Sequence, residues 1–185
     1  MWYPFKKSKK NLTISEESKK RIEEESNRVG KPQILFLKVY RDETGIGNVM
    51  VTFTDKAELK HEFVSFENQT CETLLSLGEL RFEFGKFYFY PNVDLEWKKS
   101  PRPEIHQLVS NYIFSEEPLY LESENFSKLR PILRNCFQKE GVVSAYFQKN
   151  LCQLEIPNLT KEKEERISEE ILTYLSSLYE SPWEG

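Results

Sequence analysis

The residues of this 185-residue chain with the most scope for chemistry are three cysteines, Cys71, Cys136 and Cys152, and two histidines, His61 and His106. No two cysteines lie two or three positions apart, as the ligand pairs of zinc sites do. An odd number of widely separated cysteines also argues against a disulfide framework. The sequence therefore predicts no metal site, no cofactor and a reducing, cytoplasmic location.

The same residues give little support for catalysis. A nucleophile needs a base within hydrogen-bonding reach, and no Ser/His/Asp or Cys/His arrangement stands out. Cys71 has two interpretations, a reactive thiol at a helix N-terminus or a small buried residue, and the other two cysteines are expected in the core. The glycine turn at 45–47 is too short to bind phosphate. We therefore predict that the chain is not an enzyme and has no catalytic residues.

Composition places the chain among packed globular proteins. Thirteen Phe, nine Tyr and three Trp supply large core-forming side chains. Charged residues make up 30% of the chain with a net charge of -4 and both signs interleaved, which predicts no nucleic-acid partner. No run approaches the ~18 apolar residues of a membrane span. Residues 1–10 form a basic tail without the apolar core of a signal peptide.

Residues 11–100 are predicted to form a first domain of one helix and several strands. Ser15 is placed to cap a surface helix that Gly30 ends. Thr70 is expected to cap a short second helix ending at Gly78, and Gly85 predicts a bend or bulge. The strand patterns lie at 33–40, 49–55, 61–68 and 79–90.

Two prolines at 101 and 103 favour extended backbone and predict a linker over 101–105, followed by a second domain over 106–182. Its predicted order is β-β-α-β-β-α. The first two strands flank a turn at SEEP, the first helix runs from Pro131 to Gly141, a hairpin turns at Lys149 and Asn150, and the last helix starts near Thr160. The predicted fold class is α+β, with two small domains of mostly antiparallel or mixed sheets.

The stretch YPNVDLEWKKSPRP at 90–103 carries an apolar strand into Trp97, Lys98 and Lys99. Tryptophan is favoured at the energetic centres of protein interfaces, so these three residues are candidates for binding a partner. The alternative for Trp97 is a ring that packs at the junction of the two domains.

Residues 11–100 resemble the A-type iron–sulfur carrier family (the HesB/IscA type). In that family the C-terminal end reads Asn-Pro-Asn-Val, an acid a few residues later, and then Cys-Gly-Cys. Pro91, Asn92, Val93 and Glu96 keep this frame. The resemblance places the two ligand cysteines at Trp97 and Lys99, and a third in the turn at 44–48, which contains no cysteine.

Residues from about 104 to 182 resemble the N-terminal domain of Nfu-type iron–sulfur scaffold proteins. The shared string is KLRPILRNCFQKEGVVSAYF at 128–147, in which matching positions are Pro131, Phe137, Glu140, Gly141, Val142, Ser144 and Phe147. Full Nfu proteins join this domain to a cluster-binding domain with Cys-x-x-Cys, and this chain contains no such motif.

Together the two resemblances imply a HesB-like domain fused to an Nfu N-terminal-like domain, both without ligand cysteines. Tryptophan offers iron no donor atom, and a lysine ammonium repels it. The expected function is a non-catalytic adaptor in iron–sulfur cluster assembly or delivery, with a carrier or an apo-client protein as its partner. The alternative is an interaction or structural protein that reuses these folds without an iron–sulfur role.

Overall fold

The computed structural model of the chain describes residues 12–41, 47–54, 63–66, 69–72 and 78–179. These residues fall into two compact units, and the second unit is Val93–Ser177. The first unit comprises the described residues before Val93 together with Leu178 and Tyr179. Both units combine helix with antiparallel or mixed sheet, so the α+β class predicted from the sequence is confirmed.

Helix α1, Glu16–Val29, begins and ends at the residues that the sequence predicts. The hydroxyl of Ser15 accepts a hydrogen bond from the Ser18 amide at 3.2 Å, which is N-capping. Gly30 ends the helix at a φ of 73°, where a residue without a Cβ is favoured. Ser18 and Ile22 form the buried side, and the Ser18 hydroxyl donates to the Leu80 carbonyl at 3.3 Å.

The first unit contains two sheets. A four-stranded sheet has the order β3-β2-β5-β4, in which only β2 and β5 run parallel. A three-stranded sheet has the order β1-β6-β7, with β1 parallel to β6. The strands are β1 Thr13–Ile14, β2 Ile34–Arg41, β3 Gly47–Thr54, β4 Phe63–Phe66, β5 Gln69–Glu72, β6 Glu79–Glu83 and β7 Lys86–Tyr90.

Two predictions for the first unit are corrected. The helix expected to start at Thr70 is wrong at its beginning, because Gln69–Glu72 form β5, which is hydrogen-bonded to β2 on one side and β4 on the other. Pairing on both sides satisfies the backbone better than an isolated short helix does. The rest of that predicted helix, 73–77, lies outside the described residues. The second correction concerns 79–90, where one strand with a bend or bulge at Gly85 was predicted. These residues instead form the hairpin of β6 and β7, and Gly85 lies in its turn.

The second unit is a five-stranded antiparallel sheet with the order β10-β11-β12-β9-β8. The strands are β8 Leu95–Lys99, β9 Ile105–Ser110, β10 Ser115–Glu122, β11 Ser144–Lys149 and β12 Leu151–Glu155. A 3₁₀ helix, Ser123–Lys128, precedes α2, Pro131–Glu140, and α3 spans Lys161–Tyr179. Pro131 occupies the first turn of α2, Gly141 ends it at a φ of 74°, and Lys149 and Asn150 turn the β11–β12 hairpin, all as predicted.

One face of this sheet carries the core. Trp97, Leu108, Cys152 and Phe147 lie opposite one another across four strands, and directly paired residues share a face. The ring of Phe137 on α2 stacks on Phe147 with centroids 6.4 Å apart, so α2 covers this face.

The second unit also corrects the predicted boundary. Most of the predicted linker, 101–105, lies in the connection of β8 to β9, and Ile105 already belongs to β9; the two strands pair with each other from Leu95–Ser110 to Lys99–His106. The two prolines therefore stand in a hairpin connection, and the chain divides after Asn92. The predicted SEEP turn is wrong as well, because Ser115–Glu117 belong to β10, which pairs with β11. Among the described residues, no helix combines the length and apolar character needed to cross a membrane.

Candidate functional site

Strand β8 carries the three residues predicted to bind a partner, and within the described residues it ends the sheet. Trp97 pairs with Leu108 and therefore lies on the core face. Lys98 pairs with Gln107 on the opposite face. Lys99 follows on the core side of the strand and is exposed. Alternation along one short strand thus sends its two lysines to different faces.

Trp97 is a structural anchor of the second unit. Its indole Nε1–H donates to Ser168 Oγ on α3 at 2.9 Å, and the ring is half-buried. The Ser168 hydroxyl in turn donates to the Glu164 carbonyl at 2.6 Å. A buried indole N–H needs such a partner, and here the bond fixes the edge strand to the helix behind it. The bond lies within the second unit, and the two interpretations of Trp97, partner binding and packing at a domain junction, stay predictions.

The two lysines of β8 differ in their surroundings. The Lys98 ammonium lies 3.7 Å from the Glu96 carboxylate on the same face, and both side chains are exposed. An exposed pair of this kind contributes little to stability. Strand β8 therefore carries one acidic and two basic side chains, Glu96, Lys98 and Lys99.

The two edges of the sheet differ in regularity. The pairing of β8 with β9 proceeds without interruption over five residue pairs. At the opposite edge, the register of β10 against β11 shifts between Ser115 and Leu119, and Pro118 lies within that irregular segment. Bulges and prolines obstruct the addition of a further strand, so β8 is the edge better suited to pair with one.

Cys136 and Cys152 are poor ligands and poor nucleophiles. Burial raises the pKa of the Cys136 thiol to about 11, with Glu170 and Glu140 contributing, and it raises the pKa of the fully buried Cys152 thiol further. Only the thiolate binds metal or attacks an electrophile. Within the described part of the chain, no group of three or more Cys, His, Asp and Glu residues is placed to hold a metal ion.

Of the other residues considered for chemistry in the sequence, the structure describes His106 and Cys71. The half-buried His106 ring contacts the Ile156 carbonyl through Nε2 at 3.2 Å. Cys71 lies in β5 and not at a helix N-terminus, which removes the feature expected to activate its thiol. His61 and most of the glycine turn, 42–46, lie outside the described residues.

A clamp that the sequence analysis did not identify joins the two helices of the second unit. Arg166 on α3 donates from Nε and Nη2 to the two carboxylate oxygens of Glu140 at 2.8 and 2.7 Å. The Lys163 ammonium donates to the Glu140 carbonyl at 2.8 Å, satisfying an acceptor at the end of α2. The sequence signal was an acid at the end of an amphipathic helix, directly before the glycine that terminates it.

The structure gives several residues of the Nfu-like string structural roles in the second unit. Pro131 starts α2 and Gly141 ends it. Phe137 and Phe147 stack in the core. Glu140 receives the clamp from Arg166.

Comparison with known proteins adds no family assignment. No protein-family model matches this chain, and no curated protein matches it.

Proposed function

We propose that this chain is a non-catalytic adaptor in iron–sulfur cluster assembly or delivery, which docks to a cluster carrier or an apo-client protein and holds no cluster itself. The observation that carries the proposal is the set of groups at the positions where the family resemblance expects thiolates. The indole of Trp97 is bonded to Ser168, and Lys99 presents an exposed ammonium. Neither group is a ligand for iron, so these two positions offer nothing to hold a cluster.

The state of the Cys136 and Cys152 thiols supports the proposal. A cluster needs several deprotonated cysteines held together, and both Cys136 and Cys152 are buried with raised pKa values. Their positions on α2 and β12 are those of core residues. The second unit thus uses its cysteines for packing, as a domain that only binds other proteins would.

The edge of β8 is the docking surface that we assign to this function. It is the regular edge of its sheet, and it carries the exposed Lys98 and Lys99 side chains. A partner segment in extended conformation adds to such an edge through main-chain hydrogen bonds. Acidic side chains at two adjacent positions of that segment, which point to opposite faces of the sheet, would meet the two lysines and set the register.

The first test is anaerobic reconstitution of the full chain with iron and sulfide, beside a variant in which all three cysteines are replaced by serine. We expect both proteins to show the same weak visible absorbance after desalting, because neither provides a ligand set. A chromophore at about one cluster per chain that disappears in the serine variant would disprove the claim that the chain holds no cluster.

The second test is affinity capture from the source cell with the wild-type chain and a Lys98→Glu/Lys99→Glu variant. Lys149→Glu is the matched control, because Lys149 is an exposed lysine in a turn of the same unit. The adaptor is expected to recover iron–sulfur proteins, and charge reversal on β8 is expected to deplete them while the control does not. Repeated recovery of partners without any iron–sulfur protein would instead assign an interaction protein with no iron–sulfur role.

A further inference from the structure

The backbone of β8 presents alternate residues to the outer edge of the second sheet. The Asn111 amide donates to the Asp94 carbonyl at 3.3 Å, so these two residues form a hydrogen-bonded pair at one end of the β8–β9 ladder. Hydrogen-bonded and non-hydrogen-bonded pairs alternate along antiparallel strands. Every second residue of β8 therefore turns its N–H and C=O groups away from β9, and among the described strands none lies on that side. The residues concerned are Leu95, Trp97 and Lys99.

The charges of β8 are arranged symmetrically about its central residue. The strand reads LEWKK, with Glu96 one position before Trp97 and Lys98 one position after it. The two charged side chains lie on the same face of the sheet, 3.7 Å apart, and are 63% and 41% exposed. An acid and a base at equal distances from the centre make this strand complementary to its own reverse.

This symmetry selects one register for pairing β8 with a second β8. Two antiparallel edges can bond only where residues with outward-facing backbone groups lie opposite one another. The register centred on Trp97 meets this condition and places Glu96 of each copy opposite Lys98 of the other. Registers shifted by two residues in either direction also meet it, but they place Glu96 opposite Glu96 or Lys98 opposite Lys98. Opposite charges on directly paired residues stabilise a sheet, and like charges destabilise it.

We propose that β8 pairs antiparallel with β8 of a second copy of this chain, in the register centred on Trp97, so that the two sheets become one continuous sheet. In this register the pair of Glu96 and Lys98 is non-hydrogen-bonded, the kind in which paired residues lie closest. Lysines on an edge strand usually discourage further pairing, but here each Lys98 meets an acid. The interface uses the same surface of both copies and therefore closes as a dimer.

The dimer does not depend on a role in iron–sulfur assembly. It does occupy the edge that the proposed function assigns to a partner segment, and the two cannot bind there together. A dimer would therefore keep the docking edge covered until a partner displaces the second copy. This regulatory consequence rests on the proposed function, whereas the dimer itself rests on the backbone pattern and the charges of β8.

The test is sedimentation equilibrium of the purified full chain over a wide concentration series. The variants are Glu96→Lys, Lys98→Glu, an equimolar mixture of these two, and the exchange variant Glu96→Lys/Lys98→Glu. Lys149→Glu is the matched control, because Lys149 is an exposed lysine in a turn of the same unit. Thermal unfolding of each variant verifies that it folds, since exposed charges of this kind contribute little to stability.

We expect the wild-type chain and the control to form the same concentration-dependent dimer. Each single variant should weaken the dimer at least about fivefold, because two like-charge pairs replace two opposite-charge pairs. The mixture should dimerise about as well as the wild type, since one copy then carries two bases where the other carries two acids. The exchange variant should also dimerise within about twofold of the wild type, because it restores both opposite-charge pairs.

Amide hydrogen exchange followed by NMR locates the interface. The amides of Trp97 and Lys99 face the outer edge, so their exchange should slow as the wild-type concentration rises. In Lys98→Glu the same amides should exchange at a rate that does not change with concentration. A dimer formed through another surface would leave both amides unprotected in the wild type.

Several outcomes would overturn the proposal. They are a monomer up to the highest soluble concentration, a dimer that the single variants leave unchanged, a mixture that stays as weak as its components, or unprotected edge amides in the dimer. Each is measured without iron, sulfide or a partner, so none of them bears on the iron–sulfur adaptor. Capture that recovers no iron–sulfur protein would in turn remove the adaptor and leave the dimer standing.

Discussion

Arg166 binds Glu140 through two parallel hydrogen bonds, with Nε and Nη2 at 2.8 and 2.7 Å from the two carboxylate oxygens. The carboxylate is almost fully buried, whereas the guanidinium is 45% exposed. The pair joins the end of α2 to α3 in the second unit. The two side chains therefore differ in how they respond to loss of the partner. If Glu140 is replaced, the exposed Arg166 guanidinium can hydrogen-bond to water. If Arg166 is replaced, the buried Glu140 carboxylate cannot.

Removing either member of the clamp should destabilise the second unit unequally. We expect Glu140→Ala to lower the free energy of unfolding by about 1–2 kcal/mol, since it loses charge-assisted hydrogen bonds but leaves a hydrated cation. Arg166→Ala should lower it more, because it leaves a buried carboxylate without its partner. Urea unfolding followed by circular dichroism measures both, with the exposed Glu165→Ala as control. Equal losses, or a larger loss in Glu140→Ala, would contradict this account.

The clamp also predicts a pH dependence. Hydrogen bonding by Arg166, with further attraction from Arg166, Lys139 and Lys163, lowers the pKa of the Glu140 carboxyl below its usual value. Its stabilisation is therefore fully present above the unfolded carboxyl pKa of about 4.3, and it is lost as the pH falls through the lowered folded pKa. The gap in urea midpoint between the wild-type chain and Glu140→Gln should be constant from pH 7 to about pH 5 and shrink below. A gap that widens on acidification would show that the carboxylate is not the stabilised form.

The bond between Trp97 and Ser168 predicts coupling between two distant positions in the sequence. Trp97→Phe and Ser168→Ala should each lower the free energy of unfolding by about 1 kcal/mol, because each removes the same hydrogen bond. The double variant should lose less than the sum, with a coupling energy of about 0.5–1.5 kcal/mol. Strict additivity in this double-mutant cycle would mean that the indole does not anchor β8 to α3.

Thiol accessibility provides a separate test of the second unit. In a Cys71→Ser background, Cys136 and Cys152 should not react with Ellman's reagent at pH 8 in the folded chain. With a pKa of about 11, only about one part in a thousand of the Cys136 thiol is ionised at that pH, and burial blocks the approach of the reagent. Both thiols should react at once in guanidinium chloride. Rapid reaction of either one in the native chain would place it in an exposed environment and reopen a ligand role.

Local signals in the sequence predicted the local structure well. Ser15, Gly30 and Gly141 cap helices where expected, and Lys149 and Asn150 turn a hairpin, because each outcome depends on a few neighbouring residues. The α+β class followed from the same patterns. The family resemblances and the adaptor role stay predictions.

Pairing between distant segments was harder to predict. Thr70 has the character of a helix cap, but its neighbours in β2 and β4 draw it into a strand. Pro101 and Pro103 suggest a linker, yet they sit between two strands whose pairing brings Trp97 beside Leu108. Such outcomes are decided by which strands meet, and local composition carries little information about that.

The sequence analysis did not identify the clamp between Arg166 and Glu140 for a related reason. Arg166 stands in the run KEKEER, whose composition is typical of a solvated helix face. Its role depends on Glu140, which lies 26 residues earlier and is brought close only by packing of α2 against α3.

The central claim is most directly tested by quantitative affinity capture of the full chain from anaerobic extracts of its source cell. The measured quantity is the ratio of each captured protein between the wild-type chain and Lys98→Glu/Lys99→Glu. The account predicts that iron–sulfur carriers or apo-clients are recovered by the wild type and depleted at least about fivefold by charge reversal on β8, as expected for a docking edge. Recovery that repeatedly lacks any iron–sulfur protein, or that charge reversal leaves unchanged, would contradict it.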